Sequence, residues 1–168
     1  MSVMMDFEKA LWRACRLELP NVARQGCFFH WAQCILRRVR RLGHQSAYRH
    51  NEGGFGRYVR RLIVLLFLSP HHIRPVFRQL MARADTPTRR DAVAYMNRAW
   101  FHSSSWSPME LSVFERDIRT NNGVEGWHHR LNNICGHGRM NMYRLIAVLH
   151  REATDVRDLR NLREGQRR

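Results

Sequence analysis

The sequence predicts a predominantly helical α/β protein with two short strands close to its beginning. The apolar run Ser2–Met5 stops at the carboxylate of Asp6, which predicts a strand that ends on an acid. Residues 7–19 have apolar side chains at helical spacing, and residues 22–31 are rich in aromatic side chains, which predicts a helix and then a second strand. A strand, a helix and a strand in this order form half of an α/β unit.

The rest of the chain is predicted to be helical. Trp31, Ile35, Val39 and Leu42 form one apolar stripe, and Gly43 is placed to end that helix. Further helical segments are predicted at residues 57–68, 73–81, 91–100 and 124–135, and from residue 142 onwards, with loops at 51–56 and 103–108.

The chain is strongly basic, with 29 lysine and arginine residues against 14 acidic ones and a net charge of +15. Such an excess predicts a polyanionic partner, with nucleic acid first and an anionic membrane surface second. Lys9 is the only lysine, and arginine grips phosphate through two parallel hydrogen bonds. Codon usage in a GC-rich genome explains the choice of arginine equally well, but it does not explain the net charge.

Cysteine usage and hydropathy predict an intracellular protein without a membrane span. Cys15, Cys27, Cys34 and Cys135 form no regular framework, so we expect reduced thiols. The first residues lack the basic and apolar parts of a secretory signal. The longest apolar run, residues 62–68, is too short to cross a bilayer as a helix.

Two carboxylates stand where metal-dependent chemistry would use them. Asp6 follows a predicted strand, where α/β folds carry their sites, and Glu125 lies in the first turn of a late helix. Such acids can hold two divalent metals that activate a water or a 3′-hydroxyl and stabilise the leaving oxygen of a phosphodiester. Each acid also has a structural alternative, because an acid at a strand end is commonly structural and Asn122 with Glu125 fits a capping box.

Five blocks of sequence carry a family resemblance. They are D-F-E-K-A-L-W at 6–12, G-C-F-F-H-W-A-Q at 26–33, L-L-F-L-S-P at 65–70, W-S-P with S-V-F at 106–114, and R-T-N-N-G-V-E-G-W-H-H-R-L-N at 119–132. In this order they resemble the transposase domain of Mutator-like elements, over nearly the whole chain from residue 2 to about 153. The second and the last block are the most specific.

The resemblance implies a truncated RNase H-like core of the DDE type, with two short strands remaining and an α-helical insertion. It implies a partial core at residues 1–50, the insertion at 51–115, and C-terminal core helices with a basic tail at 116–168. Asp6 matches the second catalytic acid and Glu125 the third, both as ligands of Mg²⁺ or Mn²⁺. The family's first Asp lies on an earlier strand, which the few residues before Asp6 cannot supply, so we expect the chain alone to be catalytically incomplete.

Other polar residues are predicted in the neighbourhood of these acids. The C-x-x-H pair matches the family and is expected on the second strand, and the polar residues around Glu125 share its helix face. These residues are Cys27, His30, Asn122, His128, His129 and Asn132. Packing, capping or surface roles are the alternative for each. Zinc is not expected, because four ligands at finger-like spacing are not found.

The helix after the second strand has the clearest basic surface. Arg37, Arg38, Arg40 and Arg41 lie mostly off its apolar stripe, so we predict that they contact DNA phosphates. A solvated face without a ligand is the alternative.

Together these features predict a nuclear, Mutator-like transposase fragment, whose ancestral role is metal-dependent cleavage and strand transfer of DNA. DNA is the predicted partner, and a homo-oligomer is left open. Two other functions are kept beside this one. The first is a domesticated module that binds DNA without cutting it, and the second is a helical domain that binds a partner protein.

Overall fold

A computed structural model describes residues 2–102, 105–120, 122–135 and 141–165 of the chain. Some side chains within its helices lie outside that description, namely those of Val124, His128, Leu131, Cys135, Glu152 and residues 155–165. The chain divides into two units, Met1–Asn121 and Asn122–Arg168, and each is described by itself.

The first unit begins with the predicted strand, helix and strand. β1 (Ser2–Met5) and β2 (Ala23–Gly26) are parallel, in a register that pairs Met5 with Gly26, and α1 (Lys9–Glu18) connects them. A parallel pair needs such a crossover, because both strands start at the same edge. The prediction of a predominantly helical α/β protein is confirmed, with two parallel strands in the part of the chain that the structure describes.

The second strand is shorter than predicted. β2 ends at Gly26, Cys27 precedes α2 (Phe28–Arg41), and His30 lies in the first turn of that helix. The prediction that Cys27 and His30 lie on a strand is therefore wrong. Helical packing prevails over the aromatic content of this stretch, because Trp31 belongs to a buried face that continues along α2. That face is formed by Trp31, Ile35 and Val39.

Helices make up most of the remainder of the first unit. Their bounds are α3 Gln45–Arg49, α4 Phe55–Ile63, α5 Pro70–Ala82, α6 Pro87–Met96 and α7 Pro108–Leu111. They are joined or extended by 3₁₀ turns at Glu52–Gly54 and Val64–Phe67 and by a π-helical turn at Asn97–Phe101. Proline opens α5, α6 and α7, at a position where the missing N–H has no helical partner to lose.

The predicted helices and loops begin or end at other residues than the observed elements in several places. The helix predicted at 57–68 begins at Phe55, and its last turn is 3₁₀. The loop predicted at 51–56 therefore contains a 3₁₀ turn and the start of α4. The sequence did not predict α3 and α7, because helices of five and four residues are too short for a periodic pattern.

One continuous cluster of buried side chains forms the core of the first unit. It runs from Met5 on β1 to Val113 after α7, so elements on both sides of residue 50 contribute to it. Its centre is a group of aromatic rings whose centroids lie 4.6 to 6.5 Å apart. Stacked and edge-to-face pairs of this kind add to the free energy gained by burial. The rings belong to Phe7, Trp12, Trp31, Trp100 and Trp106.

The second unit consists of α8 (Asn122–Cys135) and α9 (Met142–Gly165). Both predicted helices are confirmed, although α8 begins at Asn122 and not at Val124. Because α8 already begins at Asn122, the residue before the helix is Asn121, which lies outside the described residues. The capping box of Asn122 with Glu125 stays a prediction. None of the helices that the structure describes is both long and apolar enough to cross a membrane.

Candidate functional site

The carboxyl ends of the two strands bring Asp6 and Cys27 to one edge of the sheet. Each residue directly follows a strand, and the backbone N–H of Cys27 donates to the carbonyl of Met5 at 2.8 Å. Cys27 is fully buried, whereas Asp6 is partly exposed. Since α2 starts just after Cys27, the same edge holds the beginning of the basic helix. This is the edge at which α/β folds bind their ligands.

The core holds the backbone around Asp6 in place. The indole N–H of Trp12 donates to the carbonyl of Asp6, and Oδ1 of the Asp6 carboxylate accepts the backbone N–H of Glu8 at 3.3 Å. The ring of Phe7 packs across β2 so closely that a Cβ at Gly26 would overlap with it. Glycine at this position therefore allows the chain that follows Asp6 to lie against the second strand.

The last residues of the first unit run beside this edge. The N–H of Phe28, the first amide of α2, donates to the carbonyl of Arg119 at 3.0 Å. The side-chain amide of Gln25 donates to the carbonyl of Ile118 at 3.4 Å, and the Arg119 guanidinium lies 5.3 Å from the centroid of the Phe67 ring. The backbone just before the second unit is thus attached to β2 and to the start of α2.

The electrostatics of Cys34 connect Asp6 with the arginines of α2. Burial raises the pKa of the Cys34 thiol, the positive charge of Arg37 lowers it, and the negative charge of Asp6 raises it again. Asp6 and Arg37 therefore both lie close enough to Cys34 for their charges to act on it.

Glu125 and its predicted neighbours belong to α8 in the second unit. Glu125 is partly buried in the first turn, whereas Asn122, His129 and Asn132 are exposed. The side chain of His128 lies outside the described residues. Asp6 stands in the first unit and Glu125 in the second, so their meeting at one metal site stays a prediction.

The chemistry of the donors at the sheet edge suits a hard cation. Mg²⁺ and Mn²⁺ take oxygen ligands, so the carboxylate of Asp6 suits them better than the buried thiol of Cys27 does. Within the described ranges, His, Cys, Asp and Glu side chains form no group of three that could hold a metal, hard or soft. The carboxylate of Asp6 offers one oxygen ligand of the kind that such an ion prefers, and the binding of Mg²⁺ or Mn²⁺ there stays a prediction.

A groove of about 600 Å³ lies between α2 and α3. Its charged lining residues are all arginines, namely Arg37, Arg40 and Arg49, and each of them is exposed. Two aromatic side chains also line it, the exposed Phe29 on α2 and the partly buried Tyr48 on α3. Arginine next to exposed aromatic rings is the combination that binds a phosphate backbone and stacks bases.

The predicted DNA-binding arginines do not all face this groove. The guanidinium of Arg38 lies 5.4 Å from the centroid of the Tyr95 ring and is partly buried, and neither Arg38 nor Arg41 lines the groove. Arg49 does line it, although the sequence did not identify this residue. In the sequence, only Phe29 indicated the position of the groove, because this aromatic residue lies outside the buried stripe of α2.

The side chain of Glu110, on α7, forms ion pairs with Arg16 on α1 and Arg24 on β2. Its carboxylate accepts hydrogen bonds from Arg16 at 3.2 Å, from Arg24 at 3.3 Å and from the backbone N–H of Ser107 at 2.8 Å. Burial raises the pKa of Glu110, but the bonds from Ser107 and the two arginines outweigh it, so the pKa lies below its ordinary value. The ionised carboxylate holds β2 in place relative to its neighbours.

Comparison with known proteins gives no relative, since no protein-family model, curated protein or solved structure matches the chain. The resemblance to Mutator-like transposases therefore rests on the five sequence blocks and on the residues within them. The RNase H-like core that the resemblance implies stays a prediction.

Proposed function

We propose that the chain is part of a Mutator-like transposase core, which binds DNA in the α2–α3 groove and contributes Asp6 and Glu125 to a divalent-metal site for strand transfer. One observation carries this proposal. The parallel pair of strands brings Asp6 and the start of the arginine-bearing helix to the same edge of the sheet. A DNA strand lying along α2 would then lead from the phosphate-binding arginines toward the acid.

The charge of the groove supports a nucleic acid as its ligand. Within the described part of the chain, Arg37, Arg40 and Arg49 have no carboxylate at ion-pair distance. Their guanidinium groups are therefore free to bind phosphate oxygens in a bidentate manner. Phe29, which is 41% exposed, offers a ring face on which an unpaired base can stack.

The expected activity is binding rather than cleavage by these 168 residues alone. The resemblance implies three catalytic acids, and the chain contains two of them, Asp6 and Glu125. A Mg²⁺-dependent nicking assay on supercoiled DNA checks this point. Cleavage that disappears in Asp6→Ala and in Glu125→Ala would show that two acids are enough and would overturn the expectation of incompleteness.

Binding to duplex DNA, measured by fluorescence anisotropy over a series of salt concentrations, tests the groove. The variant Arg37→Gln/Arg40→Gln/Arg49→Gln removes its three charges. We expect a much lower affinity and a shallower salt dependence. The slope of log affinity against log salt should fall by about 0.9 for each phosphate that is no longer neutralised.

A charge-matched control separates local binding from the effect of net charge. The variant Arg13→Gln/Arg78→Gln/Arg98→Gln removes three charges from exposed positions outside the groove. It should retain most of the affinity and the original salt slope. An equal decrease of affinity in both variants, or no binding of the unmodified chain at low salt, would contradict the proposal.

The exposed apolar residues of α9 favour self-association as a second function of the chain. Met142, Tyr143 and Ile146 are 73%, 83% and 55% exposed. Exposed apolar patches on helices are commonly covered by another chain. Sedimentation velocity should then show a dimer that dissociates in Tyr143→Lys, whereas a monomer at all concentrations would rule out this second function.

A further inference from the structure

A second basic pocket lies where α4, the end of α5 and the first turn of α6 meet. It has a volume of about 260 Å³ and shares no lining residue with the α2–α3 groove. Four arginines from these three elements surround it, and no acid is among its lining residues. The arginines are Arg57, Arg61, Arg83 and Arg89.

Arg89 is the fixed member of this group. Its guanidinium lies 5.2 Å from the centroid of the Tyr58 ring and donates to Oδ1 of Asp85 at 2.8 Å and to the carbonyl of Gly53 at 2.6 Å. Its Nε is buried and has no hydrogen-bond partner among the described residues. Buried donors are almost always satisfied, so this N–H calls for an acceptor from outside the chain, either a water or an oxygen of a bound molecule.

Apart from the carboxylate of Asp85, the described groups that contact Arg89 are uncharged. The hydroxyl of Tyr58 donates to the carbonyl of Leu80 at 2.7 Å, which fixes the ring under the guanidinium. Burial raises the pKa of Tyr58 to about 12, so the phenol is neutral and does not repel an anion. Gly54 has a φ of 77°, and a Cβ there would lie 3.3 Å from Nη2 of Arg89, so glycine permits this approach.

The other three arginines are exposed and have no counter-charge. In the described part of the chain, Arg57, Arg61 and Arg83 have no carboxylate at ion-pair distance. Arg57 and Arg61 stand one helical turn apart on α4, a spacing at which like charges repel. Asp85 is already paired with Arg89, so the pocket lining keeps an excess of positive charge that a bound anion would offset.

We infer that this pocket binds a phosphate group that carries two or more negative charges. The planar guanidinium fork matches phosphate oxygens, and several forks can share one phosphate. The pocket is smaller than the roughly 300–1,000 Å³ that encloses a drug-sized ligand. It therefore takes a small anion, or the terminal phosphate of a larger molecule whose remainder stays outside.

Thermal unfolding of the full chain with pyrophosphate, at constant ionic strength, tests this inference. Bound pyrophosphate should raise Tm with increasing concentration, because it binds the folded state. In Arg57→Gln/Arg61→Gln this rise should disappear, with an affinity at least about tenfold weaker. The control Arg78→Gln/Arg98→Gln removes the same charge from exposed positions and should respond like the unmodified chain.

Because Arg57 and Arg61 are exposed, their replacement should leave the fold intact, and Arg83→Gln gives an independent second test. No rise in Tm beyond that seen with sodium chloride, or an equal rise in the pocket variants, would overturn the inference. Neither result bears on the α2–α3 groove, which is measured with duplex DNA and with other arginines.

Two oligonucleotides of one sequence identify the source of the phosphate. If it is carried by DNA, a 5′-phosphorylated single strand should bind more tightly than the same strand with a 5′-hydroxyl, and this advantage should vanish in Arg57→Gln/Arg61→Gln. If the two strands bind equally while pyrophosphate raises Tm, the pocket takes a free anion.

Discussion

The two units of the chain differ in how far their apolar side chains are buried. In the first unit Trp31, Leu62 and Leu66 are fully buried in one continuous core. In the second unit none of the described large apolar side chains is fully buried, and Tyr143 is 83% exposed. The first unit therefore has a core of its own, whereas the apolar side chains described on α8 and α9 contribute little burial.

The two acids of the predicted metal site therefore have different local support. Asp6 stands on a sheet edge whose backbone is held by Trp12 and by the attached chain at Arg119. Glu125 stands on α8, on which none of the described large apolar side chains is fully buried. We therefore expect the α2–α3 groove and the surface around Asp6 to be preformed, and the position of Glu125 to depend more on ligands and partners.

The largest expected contrast comes from truncating one apolar residue in each unit. Leu62→Ala in α4 removes a fully buried side chain and should lower the free energy of unfolding by about 3 kcal/mol. Ile146→Ala in α9 removes a side chain that is 55% exposed and should change it by less than about 0.5 kcal/mol. Urea unfolding followed by tryptophan fluorescence measures both, and equal effects would break the contrast between the units.

A smaller effect is expected from the ion pairs under the sheet edge. Glu110→Gln leaves Arg16 and Arg24 without their carboxylate and should cost about 2 kcal/mol at neutral pH. Because the folded-state pKa of Glu110 is lowered, its contribution is complete above the ordinary value of 4.5 and disappears as the pH falls through the lowered pKa.

Urea unfolding at neutral pH and at acidic pH checks the role of Glu110. The difference in stability between the unmodified chain and Glu110→Gln should shrink below pH 4.5. Glu115→Gln serves as the control, because Glu115 is exposed and forms no ion pair with the described residues. A difference that does not depend on pH would contradict the role of the ionised carboxylate.

Replacing glycine by alanine should change the stability in opposite directions in the two units. Gly43 ends α2 with a φ of 77°, where its N–H donates to the carbonyl of Arg40 and the next N–H to that of Val39, so Gly43→Ala should cost about 1 kcal/mol. Gly126 lies inside α8 with open space around it, so Gly126→Ala should favour the helix by about 0.5–1 kcal/mol. Thermal scans by circular dichroism measure both changes, and a change of the same sign in both variants would contradict this prediction.

The sequence predicted most of this fold wherever periodicity is long enough to be unambiguous. β1, α1 and α2 follow from apolar spacing, and Gly43 was identified as the end of α2 from its type alone. The second strand was predicted too long, because its aromatic residues suit a strand as well as a helix and packing against the core decides between them. Arg49 was missed because α3 has five residues, too few for a periodic pattern.

The candidate site was predictable in part. That Asp6 ends a strand follows from local sequence, and its position beside Cys27 follows from the parallel pairing of two short strands. The division of the basic face does not follow from sequence, since Arg38 and Arg40 look alike until the Tyr95 ring is in place. The role of Glu125 rests on the family resemblance, which local structure does not test.

We propose that Asp6 and Glu125 hold one divalent metal in the presence of DNA. Electron paramagnetic resonance of Mn²⁺ added to the DNA-bound chain counts the bound ions directly. We predict that binding is abolished both in Asp6→Asn and in Glu125→Gln, and is retained in Asp117→Asn, an acid at an exposed position. Binding that survives either of the first two changes, or that decreases equally in all three, would contradict the claim.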